Sequence, residues 1–286
     1  MKIVVVGSIN IDLVTEATRF PKVGETIIGN RFSTFFGGKG SNQAVCASRL
    51  GAHVAFIGCV GEDDNGIGAI GNLKQNGVNC DAVKIVKDIS TGIAQITIAE
   101  KDNSIIIVKG ANDKVTESMV SGYKDVLSEA DLVLLQLEIP LKTVEWIVDF
   151  CKKRNIVTVL NPAPAMPLPI ELINNVSYLT PNEVEHQIIF NQNETDTLMK
   201  YPNKLIITKG ASGVDYFDGT EIVRVEAHDV MVTDTTGAGD SFNGAFCVGI
   251  MNGLTTLEAI KFGNQIAAKT VQKLGAQTAM PFLKDL

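Results

Sequence analysis

The chain of 286 residues is poor in the residues that mark several functional classes. Cysteines stand at positions 46, 59, 80, 151 and 247, an odd and scattered set with no C-x-x-C pair. Such a set supports neither a disulfide framework nor a zinc site. The histidines, His53, His186 and His228, show no metal-ligand spacing. Positive charge is also scarce, and the net charge is −7. That balance argues against nucleic acid or an anionic membrane as a partner, while leaving room for a local basic pocket. No apolar run spans a bilayer, and the first one stops at Gly7, too short for a secretory signal. A soluble cytoplasmic protein is the expectation. A G-x-G-x-x-G fingerprint is missing too. The run Ile3–Val6 leads instead into Gly7-Ser8-Ile9-Asn10-Ile11-Asp12, which counts against a dinucleotide-dependent oxidoreductase. Internal repeats and low-complexity tracts are absent as well.

What is present suits a packed core. The hydrophobic fraction is 45% and the charged fraction 20%, and the length fits one large α/β domain or two small ones. One stretch organises the rest, Asp234-Thr235-Thr236-Gly237-Ala238-Gly239-Asp240-Ser241-Phe242-Asn243-Gly244. A strand-like run, Ile222 to Val225, precedes it, and a helix-compatible run, Ala245 to Met251, follows. The small residues Gly237, Ala238 and Gly239 let backbone N–H groups approach a ligand closely. A helix opening there adds free N–H groups and the positive end of its dipole, an anion hole suited to phosphate. Asp240 is out of place in a simple phosphate cradle, because it repels phosphate. It fits if it faces a hydroxyl that attacks the phosphate, as a general base. On this motif alone the other reading, a helix-capping aspartate, stands equally well.

Elsewhere, apolar runs alternate with helical patterns. Ile3–Val6 reads as a buried parallel strand, with Asn10 and Asp12 just past its carboxyl end, where ligands of open α/β sheets bind. Asn and Asp together offer the donors and acceptors that a polyhydroxylated ligand needs. Short strands exposed on one side are expected between Leu13 and Phe36. Gly37-Gly38-Lys39-Gly40-Ser41-Asn42-Gln43-Ala44 then opens a helix whose start is read as ligand-contacting. His53–Cys59 reads as a strand and Gly66–Asn76 as a helix. Thr91–Ala99 and Ser104–Val108 read as a hairpin over Lys101-Asp102-Asn103, covered on both faces. Further strands are expected at Asp131–Leu137, Ile156–Leu160, Val176–Leu179 and Leu205–Thr208. Asp131–Leu137 leads into Glu138, again at a strand's carboxyl end. A helix is expected at Leu141–Arg154, and another beginning near Asn182 with Thr180 as its cap. Tyr216–Val225 reads as a hairpin over Asp218-Gly219, and two helices fill Gly239 to Leu274. The alternation implies right-handed crossovers and a doubly wound, mostly parallel sheet with helices on both faces.

Two of these stretches resemble one family. Gly37–Ala44 resembles the first signature of ribokinase-like (PfkB) carbohydrate kinases, and Asp234–Phe242 resembles the second. The resemblance covers nearly the whole chain. It implies a single kinase domain over residues 1–286, with a small β-sheet lid built from about 13–36 and 91–109. It also implies a homodimer formed by two lids. The activity implied is ATP-dependent phosphorylation of ribose at O5, with Mg²⁺ and K⁺ as cofactors.

By the same resemblance Asp240 is the catalytic base, and Gly237, Ala238 and Gly239 form the anion hole. Asn10, Asp12, Gly38, Lys39, Gly40, Asn42 and Glu138, together with Asp240, hold the sugar. Asn182, Thr208, Lys209, Gly210, Gly213, Gly239 and Asn264 lie on the nucleotide side. Glu185, of an N-x-x-E motif, acts on Mg²⁺ through water. Asp234, Thr236, Thr270, Lys273 and Gly275 surround K⁺, largely by backbone carbonyls. The sequence departs from the family pattern in Asn264, where some members have His, in Ala279, where a cation-site Ser is expected, and in a short segment between Glu185 and Lys204. A kinase of deoxyribose or fructose, or a catalytically silent sugar-binding regulator on the same fold, are the competing readings.

Overall fold

A computed structural model describes residues 2–286. Its strands are β1 (Lys2–Val6), β2 (Asn10–Glu16), β3 (Arg31–Gly37), β4 (His53–Gly61), β5 (Asn79–Val86), β6 (Gly92–Ala99), β7 (Asp102–Val108), β8 (Leu132–Leu135), β9 (Val157–Leu160), β10 (Tyr178–Leu179), β11 (Ile206–Thr208), β12 (Val214–Phe217) and β13 (Ile222–Val225). Six of them form the central sheet, in the order β10-β9-β8-β1-β4-β5. Every pairing in it is parallel. The β-branched run of β1 explains its central place, since Ile3, Val4, Val5 and Val6 are all fully buried. Ile3 and Val5 pack with Val45, Phe246 and Ile260 on one face. Val4 and Val6 pack with Leu127, Ile147 and Val148 on the other. Each such side chain contributes roughly 1.5–3 kcal/mol of hydrophobic stabilisation. Helices therefore cover both faces, as a doubly wound sheet requires.

A second sheet, ordered β3-β2-β6-β7, stands on the carboxyl end of β1. It is mixed: β2 and β6 run parallel, while β2–β3 and β6–β7 are antiparallel. The hairpin turn lies one residue earlier than the sequence suggests. Ala99 pairs with Asp102, and Glu100 and Lys101 both take positive φ, 56° and 65°. A two-residue turn of that kind matches the twist of its strands. The expectation that this hairpin is covered on both faces fails for β7, which is exposed along its whole length because it is an edge strand with nothing packed over it. A third, antiparallel sheet, β11-β12-β13, adjoins the edge of the central one through a bridge between Leu179 and Leu205.

Two local expectations are corrected. The strand expected to reach Leu137 ends at Leu135, because the Leu137 N–H turns to the Ala163 carbonyl, 2.9 Å away. The helix Glu183–Phe190 is capped by Asn182 rather than Thr180. Asn182 Oδ1 accepts the Glu185 N–H and Glu185 accepts the Asn182 N–H, each at 2.8 Å, a reciprocal capping box. Thr180 instead donates its hydroxyl to Asn243 Oδ1 at 2.6 Å. Among the described residues no helix is long and apolar enough to cross a membrane.

Candidate active site

Strand order reverses at β1, with β4 and β5 on one side and β8, β9 and β10 on the other. The crevice outside the carboxyl ends of β1 and β8 is therefore the expected ligand site of an open sheet. Asn10 follows β1 into this crevice and Glu138 follows β8. The helix Lys39–Arg49 starts against the same place. A Cβ on Gly40 would collide with the backbone of Gly7 and Ser8, so only glycine lets the helix begin so close to β1. Ser8 ties the elements together. Its hydroxyl donates to Glu138 and accepts the Gly40 N–H at 3.2 Å, and Glu138 also accepts the Lys39 N–H at 3.0 Å.

The helix Ala238–Met251 brings Asp240 into this cluster. Its N-cap, Gly237, has φ 77° and lies against Ala276, where a Cβ would not fit. The Ala238 N–H goes to the Thr235 carbonyl and the Ser241 N–H to Gly237. The N–H groups of Gly239 and Asp240 thus have no acceptor among the described residues, and they open beside the Asp240 side chain. That side chain is buried, with 8% of the residue exposed. It accepts from Gln43 Nε2 on one oxygen and Asn42 Nδ2 on the other, each at 2.9 Å. Burial raises its pKa above the usual carboxylate range, although Lys39, Asn42 and Gln43 pull it down. Lys39 is lowered by burial but raised more by Asp240, Glu138, Glu185 and Asp12, so it keeps its charge.

Several supporting residues lay outside the sequence reading of the site. Gln136 donates to Gln43 Oε1 at 2.6 Å, and Gln43 Nε2 also reaches Asn161 Oδ1 at 3.0 Å. Gln277 Nε2 donates to Asn42 Oδ1 at 2.9 Å, and Asn243 Nδ2 to the Gly239 carbonyl at 2.8 Å. Gln136, Asn161, Gln277 and Asn243 are all buried. Their signal was an amide where the sequence otherwise reads apolar, as in Leu135-Gln136-Leu137.

On the far side of Asp240, Asn182 bridges to Thr208, whose N–H donates to the Pro181 carbonyl at 2.9 Å. Glu185 lies close enough to Lys39 and Asp240 for each to act on its charge, and burial raises its pKa. Gly210 and Gly213 shape the turn after β11 with positive φ. The Lys209 side chain is not free there. It pairs with Glu194 and with Asp215, the latter at 3.1 Å. Asn264 donates to the carbonyls of Val225 and Glu226, at 3.2 and 3.1 Å, so its amide nitrogen holds the end of β13. It also lines a groove of about 710 Å³ with Val223, His228 and Phe262.

Asp234 accepts the Thr236 N–H at 2.9 Å and the Gly275 N–H at 2.8 Å, stitching two loops together. Burial alone would raise its pKa, but these bonds hold it below the usual value. Its charge is therefore balanced by N–H donors and does not by itself demand a cation. Among the described residues, the carbonyls of Asp234, Thr236, Lys273 and Gly275 accept no hydrogen bond. Thr270 is placed differently. Its hydroxyl donates to Ser241 Oγ at 2.8 Å, and its carbonyl takes the Lys273 N–H at 3.2 Å.

The sequence profile described as pfkB family carbohydrate kinase matches residues 1–283. The chain belongs to this family. It is 45% identical to the ribokinase of Bacillus subtilis (strain 168) over 98% of this chain and 96% of the relative. It is 34% identical to the deoxyribokinase of Salmonella typhi over 100% of this chain and 97% of the relative. The structure of Arabidopsis thaliana ribokinase complexed with ribose and ATP superposes with a TM-score of 0.92 at 33% identity, covering 99% of this chain and 96% of that one.

In this pfkB kinase the carboxylates of the crevice carry a cost. Asp12 is raised from 3.8 to about 7, by burial first and then by Glu138 and Asp240, with Lys39 opposing. Below 3.8 the folded and unfolded chains hold this proton alike. As pH rises toward 7 the unfolded chain releases it while the folded chain keeps it, so stability is lost. The loss is complete above about 7. Asp12→Asn is expected to raise the Tm of the free protein by a few degrees at pH 8 and by less at pH 5. Thermal unfolding of both proteins at both pH values checks this, and an equal change at the two would contradict it.

Proposed function

We propose that the chain phosphorylates ribose at O5 with ATP, giving ribose 5-phosphate in the cytoplasm. The observation that carries this reading is the buried Asp240 carboxylate beside the free N–H groups of Gly239 and Asp240. Asp240 takes the proton of the primary hydroxyl as its oxygen attacks the γ-phosphorus and the bond to ADP breaks. The free N–H groups of Gly237, Gly239 and Asp240 stabilise charge on the phosphoryl group in transit, while that of Ala238 is held by the Thr235 carbonyl. Asn10, Asp12, Gly38, Lys39, Gly40, Asn42 and Glu138 orient the sugar. Asn182, Thr208, Lys209, Gly210, Gly213 and Asn264 form the nucleotide side, Lys209 through its backbone, since its side chain is paired.

When bound, Mg²⁺ would supply charge neutralisation for the phosphates. Among the described residues no group of three or more His, Cys, Asp or Glu side chains is placed to hold a metal ion. Glu185, half-enclosed near Lys39 and Asp240, would act on the ion through water, as the family resemblance implies. A coupled ADP-release assay across ribose, 2-deoxyribose, fructose and other sugars tests the substrate. Ribose is expected to give the highest kcat/KM, and a better rate with 2-deoxyribose would overturn the choice of sugar.

K⁺ fits the loops around Asp234, where the unpaired carbonyls of Asp234, Thr236, Lys273 and Gly275 can replace the shell of a large, weakly hydrated ion. Thr270 serves from a distance through Ser241. K⁺ is expected to raise kcat well above that in a bulky organic cation at equal ionic strength, with Mg²⁺ saturating. Ala279 offers no hydroxyl, so activation calls for higher K⁺ than a serine there would. Equal rates in the two cations would remove the site from the account.

The sheet β3-β2-β6-β7 serves as the lid, and a second copy of the chain covers its apolar face. Support comes from Phe32, Ile106 and Val108, each half exposed or more and on one face of the sheet by its register. Sedimentation is expected to show a dimer, and Ile106→Glu a monomer. A parent protein that sediments as a monomer would contradict this arrangement.

A further inference from the structure

Asn112 belongs to none of the motifs read in the sequence. It lies in the short turn Gly110–Lys114 that follows β7, and it is 1% exposed. Its amide orientation is set by backbone groups, which cannot exchange donor and acceptor. Oδ1 accepts the Ile9 N–H at 2.9 Å, and Nδ2 donates to the Ile9 carbonyl at 3.2 Å. The same Nδ2 donates to Asn10 Oδ1 at 2.7 Å. That contact decides how Asn10 faces the crevice. Its oxygen is engaged, and its Nδ2 has no acceptor among the described residues and is not an enclosed orphan. Gly92 leaves the room for this, because a Cβ there would strike Asn10 Oδ1, Asn112 Nδ2 and the Ile9 carbonyl.

We propose that Asn112 is a positioning residue that fixes Asn10 as a hydrogen-bond donor toward the sugar, so that the site requires a hydroxyl oxygen to accept there. Asp12, two residues along β2, projects from the same face of the strand and offers only acceptors when ionised. Donor and acceptor are thus separated at fixed places. A sugar with a hydrogen in place of the facing hydroxyl leaves the Asn10 donor unpaired, and such sites reject the deprived analogue strongly. This inference rests on the ribose reading above and deepens it.

The test uses the full-length enzyme and its Asn112→Asp and Asn112→Ala variants. In Asn112→Asp one new oxygen still accepts the Ile9 N–H. The other faces Asn10, which turns its amide to donate back and presents its oxygen to the sugar. The ribose KM is expected to rise roughly 10- to 100-fold, with the ATP KM within about twofold of the parent. The preference for ribose over one of 2-deoxyribose and 3-deoxyribose should shrink by a similar factor, a change that a merely structural role would not produce. Folded variants that keep the parent's ribose-to-deoxyribose ratios overturn the proposal. Should neither variant fold, the parent labelled with ¹⁵N-asparagine decides. Its Asn10 side-chain NH₂ signals, identified by their loss in Asn10→Ser, shift on adding ribose. An Asn10 pair unmoved by saturating ribose overturns it. A parent that turns over no ribose overturns the substrate reading itself, and the sugar named here with it.

Discussion

Replacing Asp240 with asparagine lowers kcat by roughly 10²- to 10⁴-fold, the range of a lost general base. The substitution keeps the shape of a side chain that is almost wholly buried and held by Asn42 and Gln43. Both contacts are donors, so the new amide sets an N–H against one of them. That neighbour must turn or lose its bond, at a cost of about 1–3 kcal/mol in stability. Removing a buried charge whose pKa is already raised offsets part of this. The variant should therefore fold, bind ribose and ATP in calorimetry, and turn over only at that reduced rate. A kcat within a few-fold of the parent would remove Asp240 from the role of base.

Asp12→Ala acts on a different step. It deletes a partly buried carboxylate from β2 that lies in the field of Glu138, Asp240 and Lys39. A lost charge-assisted hydrogen bond corresponds to a rise of roughly 10- to 100-fold in the ribose KM. The ATP KM should stay within about twofold of the parent, since Asn182 and Thr208 belong to other elements. Steady-state kinetics with each substrate varied in turn checks the split. An unchanged ribose KM with a raised ATP KM would mean that the two halves of the crevice had been exchanged.

The legibility of the sequence varied with the distance over which its constraints act. β1 was readable because a run of β-branched residues has few places to go other than a doubly covered sheet. The Gly237–Asp240 stretch was readable because small residues followed by a helix leave N–H groups free whatever surrounds them. Both constraints are local. The partners of Asp240 were harder to see. Asn42 and Gln43 lie 198 and 197 residues away along the chain, and only their place beside a glycine-rich helix start marked them.

Gln136, Asn161, Gln277 and Asn112 carried no local sign of their partners. Each is a buried amide whose use depends on which backbone or side chain the fold brings opposite it. Lys209 shows the reverse case. Its place in the turn was foreseen, but its pairing with Glu194 and Asp215 depends on how β12 and the helix Glu194–Lys200 pack. The hairpin β6–β7 was found with its turn one residue out, because the positive φ of Glu100 and Lys101 is carried by residues without a strong preference for it.

The most direct test of the proposed chemistry is the position of the phosphate in the product. The purified chain is incubated with ribose, ATP, Mg²⁺ and K⁺, and the product is examined by ³¹P–¹H correlation. Transfer to the primary hydroxyl places the ester phosphorus in coupling with the two C5 methylene protons. A phosphorus coupled to the single anomeric proton, or ADP formed with no sugar ester, would contradict transfer to O5.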